Sequence, residues 1–209
     1  MSLSNNKIVK IYKSRKTILE LLKSLDYAVS DYDEFSINEI DAMVSNDQLD
    51  MLLENEKTKK KVYIKYYANA KNLRKENLDT LIEDLFVLES ILTKEDTLII
   101  VVNEEPNDTI TERIKYLYDH DQIFIVMHNI ERLQFNILEH HLVPEIRILD
   151  GDQLNELMEK YSIKDKTLLP NISRFDPQAL AVCLRPGQVC QLKRKSNTAM
   201  DYFYYRVCI

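Results

Sequence analysis

The stretch Thr97-Leu98-Ile99-Ile100-Val101-Val102 decides the fold. It is continuously apolar and rich in β-branched residues. A short run of that kind, with no polar alternation, is the mark of an inner strand covered on both faces. Upstream, Lys61-Val62-Tyr63-Ile64-Lys65-Tyr66-Tyr67 sets Val62, Ile64 and Tyr66 against Lys61 and Lys65 with a period of two. That alternation predicts a half-buried strand. Between the two, Leu78, Leu81/Ile82, Leu85/Phe86 and Leu92 recur at helical spacing over residues 77–92. Downstream, Thr109-Ile110-Thr111-Glu112 fits a capping box, opening a helix to about residue 119. Residues 122–128 then read as another strand. Strand, helix, strand, helix, strand is the order of an α/β layer with parallel pairing.

Working outward, residues 7–25 predict a helix through Ile8, Ile11/Tyr12, Ile18/Leu19, Leu22 and Leu25. Ser36 and Glu39 form a capping box that predicts a second helix. Residues 45–60 are polar and run into Lys57-Thr58-Lys59-Lys60-Lys61, so they are expected to be an exposed loop. Pro144 breaks the α/β order, because it neither donates to a ladder nor continues a helix. Past it, Leu154, Leu157/Met158 and Tyr161 mark a short helix capped by Asp150 or Asp152. Asp176 is a natural N-cap with Pro177 at the first helical position. Residues 188–193 and 202–208 predict two strands joined around Ser196-Asn197-Thr198-Ala199. The reading is two domains, 1–142 and 143–209.

Composition excludes several classes. Of 209 residues, 45% are hydrophobic and 30% charged, which is globular rather than disordered. Purely apolar runs such as residues 98–102 are far short of the roughly 20 residues that a membrane span needs. Lys7, Lys10 and Lys13 interrupt the N-terminus, so no signal core is expected there. Only two glycines occur, Gly151 and Gly187, which excludes glycine-rich phosphate loops and their nucleotide enzymes. Cys183, Cys190 and Cys208 are sparse and odd in number, which suits a reducing compartment. Residues 1–142 carry a net −8 and residues 143–209 a net +2, within the −6 of the chain. A free-standing nucleic-acid binder usually has a basic surplus, and this chain has none overall.

No chemistry-bearing constellation emerges. His120, His128, His140 and His141 lack metal-ligand spacing, no CxxC occurs, and there is no GxSxG elbow. Metal-dependent nucleases on α/β layers place a carboxylate two positions before a lysine, so that both reach one metal-bound phosphate. The candidate lysine is Lys65, but Tyr63 stands where the acid is needed. The two basic runs, Lys57–Lys61 and Lys193-Arg194-Lys195, have phosphate-binding chemistry, although a solvated loop and a polar hairpin end are the simpler readings. Tyr202, Tyr204 and Tyr205 pack a small sheet or supply a partner surface. No catalytic residue, cofactor or metal site is expected.

The C-terminal motifs go further. His141-Leu142-Val143-Pro144, Leu169-Pro170, Asp176-Pro177, Arg185-Pro186-Gly187-Gln188-Val189, Lys193-Arg194-Lys195-Ser196 and Tyr205-Arg206-Val207 stand in one order. That order and spacing resemble the fifth subunit of eukaryotic DNA-dependent RNA polymerases, which has a counterpart in the archaeal enzymes. Tyr12-Lys13-Ser14-Arg15-Lys16-Thr17-Ile18 is similar to the opening helix of the eukaryotic subunit, and Phe135-Asn136-Ile137-Leu138-Glu139-His140 to its inter-domain segment.

The resemblance implies an α/β N-terminal jaw domain, restriction-endonuclease-like but non-catalytic, beside downstream duplex DNA. It implies a small α+β C-terminal assembly domain docked on the largest polymerase subunit. Pro170, Asp176, Pro177, Pro186, Gly187, Gln188 and Arg206 are the expected partner-binding residues. Lys57, Lys59, Lys60 and Lys61 are the expected DNA-proximal ones. Association is expected with polymerase subunits, not with a membrane or a second copy. Archaeal versions lack the jaw, so the long N-terminal half points to a eukaryotic or large-DNA-virus enzyme. That places it in a nucleus if cellular, or in a virion or cytoplasmic viral factory. Two departures stand out. Asn103-Glu104-Glu105-Pro106-Asn107-Asp108 replaces a Thr-Pro-Ser-Ala segment with acids that repel a DNA backbone, and Met200 stands where the family favours Gly. The alternatives are a stand-alone nuclease-fold DNA-binding protein without catalysis and a free transcription regulator that uses only the C-terminal module.

With no acid two residues before Lys65, the purified chain is expected to leave DNA and RNA intact in Mg²⁺ or Mn²⁺. Cleavage that survives repurification and vanishes in Lys65→Ala would contradict this.

Overall fold

The computed structural model describes residues 2–67, 73–195 and 200–209. The chain divides into two compact units, Met1–Asn136 and Ile137–Ile209. The division falls ahead of the 142/143 boundary read from Pro144. The reason is Leu138, in the 3₁₀ turn Ile137–Glu139, which packs on the core of the second unit.

The first unit opens with α1 (Ser2–Ser24), which buries Ile11, Ile18, Leu19, Leu21 and Leu22. α2 (Ile37–Ser45) starts on the expected capping box, Ser36 with Glu39. Its side-chain oxygens satisfy backbone N–H groups that the first helical turn leaves unpaired. The stretch expected to be loop holds a strand instead, β1 (Met51–Glu54). Met51 and Leu53 point inward and are buried, whereas Leu52 and Glu54 face out. Two inward residues between polar flanks are too short a pattern to stand out in sequence. β2 (Lys61–Tyr66) buries Val62, Ile64 and Tyr66, as its alternation predicts.

α3 (Lys75–Glu83) is shorter than residues 77–92. It widens into a π-helical turn, Asp84–Leu88, and Ser90 at φ +50° follows it. Leu92 is buried from the loop beyond, which is why it kept the apolar spacing. β3 (Thr97–Val102) is buried at every position. α4 (Asp108–Tyr116) is capped by Asn107, whose side chain accepts from the Ile110 N–H, and not by Thr109. β4 (Phe124–Asn129) follows. The sheet order is β1-β2-β3-β4. β1 is antiparallel to β2, and β2, β3 and β4 run parallel, as the strand-helix alternation requires. Asp96 ties the base of this sheet: its carboxylate accepts from the N–H groups of Lys61 (2.6 Å) and Thr93 (2.7 Å).

In the second unit, β5 (Glu145–Ile148), unread in the sequence, precedes α5 (Gly151–Lys160), which is capped by Asp150 with Gln153. β6 (Asn171–Ile172) is a two-residue strand, also unread, and α6 (Pro177–Ala181) starts at the expected Asp176 cap. β7 (Val189–Lys195) and β8 (Asp201–Cys208) pair antiparallel; the connection around residues 196–199 lies outside the described residues. The order is β5-β7-β8-β6. Period two gives this sheet a core on each face. Cys190, Leu192 and Cys208 pack with Ala179, Val182 and Leu184 on one side. Val189 and Val207 pack with Leu157 and Leu169 on the other.

His128 on β4 is buried, and burial, helped by the nearby Arg132 charge, pushes its pKa down to about 4. The unfolded chain therefore takes up a proton that the folded chain refuses between about pH 6.5 and 4. Stability from this group is full above about pH 6.5 and is lost as pH falls towards 4, by on the order of 3 kcal/mol. Thermal melts across that window should show His128→Gln losing less stability on acidification than the parent chain.

Candidate functional site

The expected partner-binding residues come together around the C-terminal end of β8. Arg185-Pro186-Gly187-Gln188 is a tight turn, closed by the Gln188 N–H on the Arg185 carbonyl at 3.0 Å. Proline in the second position and a glycine at φ +84° in the third are the residues that a type II turn demands. The Gln188 side chain closes it again, accepting from the Arg185 N–H at 2.8 Å. Lys166 Nζ donates to the Gly187 carbonyl at 2.8 Å. Gly187 N–H then donates to the Cys208 carbonyl, and Cys208 N–H to the Gln188 carbonyl, both at 2.9 Å.

On the other side of β8, the Val207 N–H donates to the Pro170 carbonyl at 2.9 Å, and Ile209 N–H to Ile172 at 3.0 Å. Asp176 accepts from the Gln178 N–H at 2.9 Å, with Pro177 opening α6. Pro170 and Pro177 are exposed, and the rest are half-buried. Thus Asp176, Gly187 and Gln188 each have a structural task before any partner arrives. The turn and the strand end form one cross-linked scaffold.

Arg206 is more unusual. Its Nη1 donates to the Asn171 carbonyl at 3.1 Å, and its Nε is buried without a hydrogen-bond partner. Its guanidinium lies 5.5 Å from the Tyr204 ring centre, and Arg194 lies 4.4 Å from the same ring. Sequence reasoning set Arg194 apart only as a member of a basic run. The strand register, Arg194 opposite Tyr202, brings it to Tyr204. Cys190 and Cys208 are buried thiols, both pushed up to about 11 by desolvation, so they are not poised as nucleophiles.

In the first unit, Asn55 organises the lysine loop. Its side chain accepts from the N–H groups of Lys57 and Thr58 and donates to the Leu25 carbonyl. Lys57 pairs with Asp26 at 2.7 Å, Lys59 with Glu54 at 3.4 Å and Lys60 with Glu95 at 3.3 Å. All three ammonium groups stay at the surface, but each already faces a carboxylate. Exposed pairs of this kind are weak and easily exchanged. Lys61 opens β2.

The nuclease test gains a residue that the sequence did not suggest. Asp50, just before β1, pairs with Lys65 at 2.5 Å and accepts from the Tyr63 hydroxyl at 3.0 Å. Burial and Asp50 together push the Tyr63 hydroxyl pKa well up, so it stays a donor. One carboxylate, held by a tyrosine and a lysine, is not a metal-binding set. No group of three His, Cys, Asp or Glu fit for a metal occurs among the described residues. Only the β1–β2 pairing, Met51 opposite Ile64, places Asp50 there.

The described residues thus hold a C-terminal module cross-linked around β8. Residues 135–208 match the family model of the RNA polymerase Rpb5 C-terminal domain. The DNA-directed RNA polymerase subunit Rpo5 of Thermococcus kodakarensis is 46% identical over 76 residues, covering 36% of this chain and 92% of that one. Subunit RPABC1 of DNA-directed RNA polymerases I, II and III from Caenorhabditis elegans is 39% identical over 87 residues, 41% of each chain. The chain belongs to this family of fifth-type RNA polymerase subunits, which are non-catalytic.

Gly187 at φ +84° has room for a methyl group, the nearest atom being Lys166 Nζ at 3.5 Å. The cost of Gly187→Ala is therefore backbone strain, about 1 kcal/mol. Gly151, the first residue of α5, has nothing within 4 Å of an added Cβ. Denaturant unfolding should show Gly187→Ala losing about that much, and Gly151→Ala unchanged or slightly stabilised.

Proposed function

We propose that the chain assembles on the largest subunit of a DNA-directed RNA polymerase through residues 137–209. In this reading residues 1–136 form a jaw beside downstream duplex DNA, with a restriction-endonuclease-like fold that has lost its chemistry. The observation that carries the first part is the confinement of the family match to residues 135–208, the unit cross-linked around β8. The partner-binding residues are Pro170, Asp176, Pro177, Pro186, Gly187, Gln188 and Arg206. The mixed sheet β1-β2-β3-β4 and Asp50, engaged by Lys65 and Tyr63, support the second part. Lys57, Lys59, Lys60 and Lys61 are the DNA-proximal group, since surface pairs with Asp26, Glu54 and Glu95 exchange readily for phosphates. The chain then works wherever its polymerase does, in a nucleus or in a viral factory or virion.

A stand-alone DNA-binding role is less well supported. The surplus of −8 over residues 1–142 opposes a duplex, and the loop at Glu104 and Glu105 adds to it.

The test is capture of the largest subunit by residues 1–136, by residues 137–209 and by the full chain carrying Arg206→Ala. Residues 137–209 should capture it and residues 1–136 should not. Arg206→Ala should weaken capture about tenfold, some 1.4 kcal/mol. Capture by residues 1–136 alone would reverse the division of labour.

A further inference from the structure

In the C-terminal sheet, part of the β8 edge is left without a partner strand among the described residues. β8 runs Asp201–Cys208, but β6 pairs only with Val207 and Cys208. The N–H groups of Val207 and Ile209 point away from β7, to Pro170 and Ile172, while Cys208 turns its N–H and carbonyl to Gln188 and Gly187. A strand alternates with period two. The backbone groups of Phe203 and Tyr205 therefore face the same side as that of Val207, where no described strand pairs with them.

Folded proteins usually blunt such an edge with lysine, proline or a bulge. This one carries aromatic residues instead. Phe203 is 51% exposed and Tyr202 39% exposed. Tyr202 stacks on Tyr204, with ring centres 6.2 Å apart. Arg194 and Arg206 both lie against Tyr204, and no described carboxylate pairs with either. The Nε of Arg206 is buried and unpartnered. Guanidinium groups held on an aromatic ring keep a planar fork available for a carboxylate.

We propose that residues 201–205 of β8 accept an extended acidic segment of another polymerase polypeptide as a fifth strand of this sheet. Arg194 and Arg206 bind its carboxylates. Main-chain bonds supply affinity in such strand addition, and alternate side chains supply selectivity. The net +2 of residues 143–209 favours an acidic occupant. This proposal rests on the reading of the chain as a polymerase subunit.

Hydrogen exchange on the full chain, alone and reconstituted with the remaining polymerase subunits, tests it. The Phe203 and Tyr205 amides should exchange at least tenfold more slowly in the complex. Phe203→Pro removes only an outward donor, which an edge strand tolerates. It and Arg194→Glu should each lower retention in the complex at least fivefold. If the complex forms and both amides exchange as in the free chain, the edge is not the docking site and the subunit reading stands. If the parent chain never enters the complex, the subunit reading itself falls. A dimer of the isolated chain that protects both amides would make a second copy the occupant and overturn the proposal. The exchange measurement decides even if Phe203→Pro fails to fold.

Discussion

The backbone bonds that converge on Val207, Cys208 and Ile209 hold the C-terminal unit together. On one side they reach Gly187 and Gln188, and on the other Pro170 and Ile172. Buried backbone groups must find partners, so a segment with both edges occupied cannot move without exposing several at once. The Pro186-Gly187 turn and the Pro170 loop are thereby locked to one strand, though they are far apart in sequence. Valine and cysteine side chains of that strand then seed a core on each face. With so few residues, a unit of this size gains little from burial alone, and the cross-linking of its loops counts for more.

The N-terminal unit is organised by burial instead. β3 is covered along its whole length, and its neighbours pair with it in parallel through the crossovers of α3 and α4. Two carboxylates of this layer have structural partners. Asp96 closes the base of the sheet, and Asp50 is held by Tyr63 and Lys65. A carboxylate so engaged stabilises the sheet, and no group of three His, Cys, Asp or Glu fit for a metal occurs among the described residues. The arrangement explains why an α/β layer carrying a central lysine shows no assembled reaction centre among its described residues.

The two units meet their surroundings in different ways. The lysine loop of the first is shaped by Asn55 and decorated with exposed ion pairs, a surface that trades partners at low cost. The surface of the second is built from prolines, a glycine turn and an aromatic strand edge, where geometry is set before any contact forms. Preorganisation of this kind lowers the entropy lost on association. The family model, at residues 135–208, spans nearly all of this unit.

The sequence by itself determined what depends on local spacing. The alternation of Val62, Ile64 and Tyr66, the unbroken run at β3 and the Ser36 and Asp176 caps were all legible, because each is set by neighbours within a few residues. The ordered C-terminal motifs carried the family. Short strands were not legible. β1 rests on two inward side chains, and β6 is only two residues long, so neither has enough repeats for a period to show. The π-helical turn at Asp84–Leu88 was hidden for a similar reason, since Leu92 kept helical spacing after the helix had ended. Asp50 beside Lys65, Arg194 beside Tyr204 and the open edge at Phe203 were decided only by strand pairing. Register joins residues that are distant in the chain, and the free energy that selects it comes from burying whole faces, which no local window contains.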